Sequence, residues 1–176
     1  MTFRFAALVC TVALAAAHAE PSSSAPKVSG RRDARQPLMQ DASMMLTLMQ
    51  IFFSEPLLKA RRFWRTELTE GMSLSDFESR FPKGSEGYEH FINFASFWET
   101  LGSLMQKGLV NEDLAFDTFL DAPPWNKAAG IFKGRRERDK QPLEGVNFEW
   151  IAGRASKWIA RHERELQQQE RPGRGR

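Results

Sequence analysis

Apolar residues recur three and four positions apart along most of the chain between residues 38 and 166. This spacing places side chains on one face of an α-helix. No window alternates between apolar and polar residues for long enough to predict a β-strand. The sequence therefore predicts an all-α fold, an irregular bundle of six or seven helices in a single domain.

Capping and breaking residues set the ends of the first two predicted helices. The first helix is predicted from Leu38 to Phe53. Ser54 can cap the second helix, and Pro56 suits its first turn, where no backbone N–H is needed. Gly71 is predicted to end the second helix, because glycine readily takes the left-handed conformation that closes helices.

The middle of the chain carries a short helix and then the longest apolar pattern. Ser75 with Glu78 resembles a capping box for a helical turn through Phe81, and residues 82–87 are predicted to form a loop. The next helix is predicted to end at Gly108. Its wide apolar face predicts a central helix packed on more than one side. The main apolar stripe consists of Phe91, Phe94, Ala95, Trp98, Leu101 and Met105, with Ile92, Phe97 and Leu104 beside it.

Three more helices complete the predicted bundle. Asn111 is expected to cap a helix that continues to about Leu120. Two prolines separate that helix from the next, which is predicted over 125–140. The last helix is predicted over 146–166.

The first nineteen residues have the pattern of a signal peptide. Residues 5–17 are apolar apart from Thr11, and small residues at Ala17 and Ala19 fit the A-x-A pattern of a cleavage site. This run is shorter than the roughly twenty residues that a spanning helix needs. We expect cleavage after Ala19 and export to the periplasm or beyond. The alternative is an inner-membrane anchor formed by the uncleaved segment.

The remaining boundaries follow from composition. Residues 20–37 have one isolated aliphatic residue among Ser, Pro, Gly and charges, so they are predicted to form a flexible tether. The helical domain is predicted over 38–166, and residues 167–176 are predicted to be a disordered tail.

Cleavage would change the composition of the mature chain. Cys10 is the only cysteine, so the mature domain would have neither a disulfide nor a cysteine-based zinc site. All but one of the 25 Lys and Arg residues and all 22 acids lie beyond residue 19, which leaves a net charge of +2. So small a net charge produces only a weak electrostatic field. Together with export, this argues against nucleic acid as a partner.

Several motifs carry a resemblance to a known family. They are Asn93-Phe94 with 97–102 (FWETLG), 107–114 (KGLVNEDL), Trp125 with Arg135-Arg136, 147–152 (NFEWIA), and the opening stretch from Phe52-Phe53 to Arg61-Arg62-Phe63-Trp64. Together they resemble a bacterial family known as domain of unknown function 4760, over roughly Met44 to Ala155. The resemblance implies an all-α fold. It implies no activity and no site residues, because the family has none assigned.

Candidate catalytic and metal-binding residues are few. His90 and His162 are the only histidines of the mature chain, and neither has a metal-site spacing. Both are predicted to be packing or surface residues, and no cofactor or metal is expected. No Gly-rich phosphate loop or nucleophile motif occurs. The carboxylates of Glu99 and Glu149 and an acidic row at 113–121 are the candidates for an enzyme of unfamiliar type.

That acidic row consists of Asp113, Asp117 and Asp121, which lie on one face of their predicted helix. Because like charges at this spacing repel each other, another group is expected to offset them. The favoured interpretation is a solvated face that meets basic side chains within the fold. The alternative is a site for a divalent cation or a basic partner.

The strongest charge feature is a basic cluster near the end of the sixth predicted helix. Its members are Lys133, Arg135, Arg136, Arg138 and Lys140. The favoured interpretation is a solvated helix end, where cations suit the helix dipole. The alternatives are docking on the acidic row and contact with anionic lipid headgroups. Trp125 is predicted to cap the core at a helix start, and the alternative is that it lines a groove.

Three functional classes remain. The favoured hypothesis is a non-catalytic module of the bacterial cell envelope that binds a protein partner or an anionic membrane surface. The second is the enzyme of unfamiliar type with helix-borne carboxylates. The third is a small-ligand carrier, which an apolar cavity among the helices would support. The basic cluster, the acidic row and Trp125 are the candidate interaction surface, and the sequence predicts no oligomeric state.

Overall fold

The computed structural model describes residues 39–119 and 123–169, and these form seven α-helices and no strand. The helices are α1 (Met39–Phe52), α2 (Glu55–Thr66), α3 (Leu74–Arg80), α4 (Glu86–Gln106), α5 (Glu112–Thr118), α6 (Trp125–Asp139) and α7 (Val146–Gln169). The predicted all-α fold is confirmed. The predicted cleavage site, the tether and Asp121 lie outside the described residues, as do residues 170–176 of the predicted tail.

The central helix is α4, as its wide apolar face predicts. Helices α2 and α7 make their most extensive contacts with it. Trp98 and Phe91 of α4 are completely buried. Phe91 stacks on Trp64 of α2, with ring centroids 5.0 Å apart and planes only 4° from parallel. Phe148 of α7 also contacts Trp64, with ring centroids 5.9 Å apart. These three helices therefore share an aromatic cluster within the core.

Local capping signals are confirmed at two ends. Gly108 follows α4 with a φ of 69°, the left-handed conformation that glycine adopts without strain. Asn111 caps α5, because its Oδ1 accepts a 2.9 Å hydrogen bond from the backbone N–H of Leu114. Ser85 caps α4 in the same way, so this helix begins inside the segment predicted as a loop.

Two predicted features between α2 and α3 are wrong. Helix α2 ends at Thr66, and Gly71 lies in the connection that follows. The N–H of Gly71 donates to the carbonyl of Asn126, so α6 holds this connection in place. The cap of α3 is Ser73 and not Ser75: its Oγ accepts from the backbone N–H of Asp76 and donates to that residue's carboxylate. Two side chains of the connection, Leu68 and Met72, are buried, and the others are exposed.

Helix α7 is longer than predicted and continues to Gln169, so residues 167–169 are helical. Within the described part of the chain, no helix combines the length and the hydropathy needed to cross a membrane.

Candidate functional site

The three arginines of the basic cluster bond to neighbouring acids. Arg135 is only 5% exposed, and its Nη1 lies 3.2 Å from the Glu144 carboxylate. Its guanidinium is also 5.3 Å from the ring centre of Tyr88 and 5.4 Å from that of Phe91. Such ring faces attract a cation, and this attraction compensates in part for its burial. Arg135 therefore ties α6 to the aromatic core.

The other two arginines make similar links. Arg136 donates to the Glu144 carbonyl at 2.6 Å and to the Glu149 carboxylate at 2.7 Å. Arg138 donates to both oxygens of Glu78 on α3, at 2.7 and 2.8 Å. Arg138 also bonds Asp139, and this hydrogen bond holds the pKa of the Asp139 carboxyl below its usual range. Lys133 and Lys140 are exposed. The arginines of the cluster meet Glu78, Glu144 and Glu149, and not Asp113.

Substitution of Arg135 by methionine is expected to change the free energy of unfolding by less than about 1 kcal/mol, because methionine fills similar space and suits aromatic neighbours. Glu144→Ala is expected to cost about 1–3 kcal/mol, since it leaves the charge of Arg135 buried without its carboxylate. The loss stays moderate because 31% of the Glu144 side chain is already exposed. Urea denaturation of both variants measures the difference. A larger loss for Arg135→Met than for Glu144→Ala would contradict this account.

The acidic start of α5 is bonded to α7. Asp113 Oδ1 accepts from Arg161 at 2.7 Å and from the indole N–H of Trp158 at 2.8 Å. Glu112 pairs with both Arg154 nitrogens Nε and Nη2. Asp117 is exposed. Two arginines of α7 thus offset the charges of the acids at this end of α5, and the indole of Trp158 adds a hydrogen bond. Among the described residues, no three metal-ligating side chains are grouped in a way that could hold an ion.

Glu99 and Glu149, the carboxylates considered for catalysis, join helices. Glu99 is half-buried on α4 and points at the N-terminus of α7. It accepts from the backbone N–H of Phe148 at 2.8 Å and from the side-chain amide of Asn147 at 2.7 Å. A carboxylate at this position satisfies unpaired N–H groups and suits the helix dipole. Glu149 is the partner of Arg136.

The backbones of α4 and α7 approach each other closely next to the contact that Glu99 makes. A Cβ at Gly102 would collide with the backbone carbonyl of Asn147. The side chain of Asn147 also accepts a 2.8 Å hydrogen bond from Gln106. Two separate motifs of the sequence, at 97–102 and 147–152, therefore meet as one junction between α4 and α7. Neither local periodicity nor spacing could have predicted that they touch.

The two histidines and Trp125 contact aromatic rings. His162 stacks on Trp158 at 3.7 Å, and its Nδ1 lies 3.0 Å from the Trp158 carbonyl oxygen. The ring of His90, on α4, lies 5.8 Å from that of Phe63. Trp125 stacks on the ring of Phe132 at 5.6 Å and meets Phe148 edge-on, so it covers the core at the start of α6.

One surface was not predicted from the sequence, and we call it the apolar corner. Of nine exposed large hydrophobic side chains among the described residues, six lie at this corner and the other three are scattered elsewhere. Five of the six are on or just after α1, and Leu58 is in the first turn of α2. Those six are Met39, Met44, Leu46, Ile51, Phe53 and Leu58. Asp41 is the only charged residue of α1, and it is buried. The outer face of α1 is thus entirely uncharged in a chain in which 27% of residues are charged. Such concentrated apolar exposure is typical of an interaction surface.

An open hollow of about 360 Å³ lies against the first turns of this face, lined by Met39, Gln40, Ser43, Met44 and Thr47. Its described lining residues are all exposed residues of α1, so it does not lie between two of the described helices. It is therefore not the apolar cavity between helices that a small-ligand carrier would need.

The comparisons with known proteins give one match. The family model described as "Domain of unknown function (DUF4760)" matches residues 5–158. The matched segment includes the N-terminal apolar run and extends beyond the stretch from Met44 to Ala155 on which the resemblance was based. No curated protein and no solved structure matches the chain.

Proposed function

Because this chain belongs to the DUF4760 family, to which no activity is assigned, we propose its function from its own residues. We propose an exported, non-catalytic helical module that binds at the membrane surface of the bacterial cell envelope. The observation that carries this proposal is the apolar corner, where an uncharged helix face is exposed beside basic side chains.

The placement of the reactive side chains supports a non-catalytic role. A general acid or base needs a carboxylate or imidazole that can reach a substrate. Glu99 instead accepts from the backbone of α7, and Glu149 accepts from Arg136. His90 and His162 lie on different helices, each against an aromatic ring. Glu99, Glu149 and His90 thus contact neighbouring helices, and His162 packs on Trp158 within α7. These structural roles favour a binding module over the enzyme hypothesis.

Export supports an envelope location. The signal-peptide pattern of residues 1–19 predicts that the mature chain begins at Glu20. All seven helices lie beyond that point, so the processed chain keeps every contact described above. If the segment were retained, it would instead hold the domain at the inner membrane.

We expect the protein recovered from its bacterial host to lack residues 1–19 and to sediment with the membrane fraction. Intact-mass spectrometry of the cytosolic, soluble periplasmic and membrane fractions measures both properties. A periplasmic protein of known location and a cytosolic enzyme serve as fractionation controls. Full-length chain in the cytosol, or processed chain only in the soluble periplasm, would overturn the proposal. Full-length chain in the membrane would support the anchored form and contradict the cleavage.

A further inference from the structure

We propose that the apolar corner docks on a bilayer that contains anionic phospholipid, with cations of α2 placed against the lipid phosphates. This inference rests on the proposed function and adds to it the chemistry of the lipid and the surface that binds it. Three observations carry it: the arrangement of the exposed apolar side chains, the charges beside them, and the distribution of charge along the chain.

The exposed apolar side chains of the corner lie along α1. Met39, Leu46 and Phe53 are seven residues apart, and seven residues are close to two helical turns. They therefore project from nearly the same side. Met44 and Ile51 form a second line, also seven residues apart. An uncharged helix face of this kind can lie in the plane of the membrane interface, with its apolar side chains among the acyl chains.

The cations adjoin the end of this face. Leu58, Arg62 and Arg65 are four and three residues apart, so they share one side of α2, and all three are exposed. Arg61 lies between them in sequence, and its guanidinium is 4.1 Å from the ring centre of Phe52 and 5.9 Å from that of Phe53. This side of α2 therefore adjoins the end of α1.

The distribution of charge along the chain favours the same surface. Residues 20–66 contain eight Lys and Arg against four acids, whereas residues 67–176 contain sixteen against eighteen. Glu55 is the only acid of α2, and it lies 2.9 Å from Lys59. Along the sequence, the net positive charge of the mature chain is thus carried by the residues before 67, which include α1 and α2. Basic residues beside an apolar helix face are complementary to the negative charge of anionic lipids.

A second copy of the chain would suit this surface less well. In a two-fold dimer the same patch meets itself. Both copies would then bring Arg62 and Arg65 to the same interface, which adds positive charge and no opposite charge. A bilayer with phosphate headgroups offers the opposite charge and an apolar interior together.

The test uses the processed chain, residues 20–176, sedimented with vesicles of phosphatidylcholine alone or of phosphatidylcholine mixed with phosphatidylglycerol. We expect strong binding only to the mixed vesicles, weakening as salt is added because salt screens the charges. Leu46→Glu/Phe53→Glu should abolish binding to both. Arg62→Glu/Arg65→Glu should weaken binding to the mixed vesicles by at least twenty-five-fold, since each surface cation contributes about five-fold.

Two matched variants serve as controls. Leu143→Glu/Leu166→Glu places the same charges at exposed leucines outside the corner, and Lys133→Glu/Lys140→Glu makes the same charge change in the basic cluster. Both should bind like wild type. Circular dichroism and the urea midpoint show that each variant is folded, since all eight positions are exposed.

Equal binding to both kinds of vesicle would overturn the anionic-lipid inference and leave membrane binding intact. Loss of binding in the Lys133/Lys140 variant alone would overturn the choice of surface. Absence of vesicle binding by wild type would overturn both this inference and the membrane-surface part of the proposed function. If light scattering then showed a dimer that Leu46→Glu separates, the apolar corner would be assigned to a second copy.

Discussion

Replacement of Gly102 by alanine is expected to lower the free energy of unfolding by about 1–3 kcal/mol, because α4 and α7 touch there through their backbones. The new Cβ would collide with the carbonyl oxygen of Asn147 and lie 2.9 Å from its carbonyl carbon. The first turn of α7 cannot simply move away, because Glu99 is bonded to its N–H groups. The sign of this change in the free energy of unfolding is informative, because alanine in a helix ordinarily stabilises a protein by roughly 0.5–1 kcal/mol relative to glycine.

Gly153 in α7 supplies the matched control. It is exposed, and a Cβ there would meet no other atom within 4 Å. Gly153→Ala is therefore expected to raise the free energy of unfolding by roughly 0.5–1 kcal/mol. Urea denaturation followed by far-ultraviolet circular dichroism compares the two variants with wild type. If Gly102→Ala stabilised the protein as Gly153→Ala does, the close approach of α4 and α7 would be refuted.

Replacement of Glu99 by alanine is the second substitution with a large expected effect, a loss of about 2–3 kcal/mol. The carboxylate accepts from the backbone N–H of Phe148 and from the amide of Asn147, and these donors would be left half-buried without an acceptor. Glu99→Gln keeps one acceptor oxygen and should lose roughly 1–2 kcal/mol. The expected order of stability is wild type, then glutamine, then alanine.

Glu137→Ala is the control for this series, because Glu137 is exposed on α6. It should shift the free energy of unfolding by no more than about 0.5 kcal/mol. Thermal and urea denaturation of all four proteins measure the order. A Glu99→Gln protein as unstable as Glu99→Ala would show that the negative charge itself is needed. If neither Glu99 variant lost stability, the carboxylate would not be the cap of α7.

These expectations also bear on how the family's residues are interpreted. Glu99, Gly102 and Asn147 lie in the two motifs, and all three act at the α4–α7 junction. Their role in the structure is to join helices. We therefore look for residues with a binding role outside the motifs at 97–102 and 147–152. The apolar corner lies outside both of these motifs.

Much of the fold could be predicted from the sequence. The spacing of apolar residues predicted helices throughout the described part of the chain, and it identified α4 as central because so many of its positions are apolar. Asn111 and Gly108 acted as predicted, because a cap and a left-handed turn depend on atoms within a few residues. These features are local, so a short stretch of sequence contains the whole cause.

Only the tertiary structure decided which side chains are paired and which are exposed, because these properties depend on residues far apart in the chain. The cluster at 133–140 has the same charges in sequence as a free basic patch would have, but folding brings Glu78, Glu144 and Glu149 to its arginines. The reverse holds for α1. Apolar residues occur on several sides of α1, yet the other described helices bury only some of them, so the remainder is exposed as the apolar corner. Sequence patterns show which side chains could be buried or paired, and packing decides which of them are.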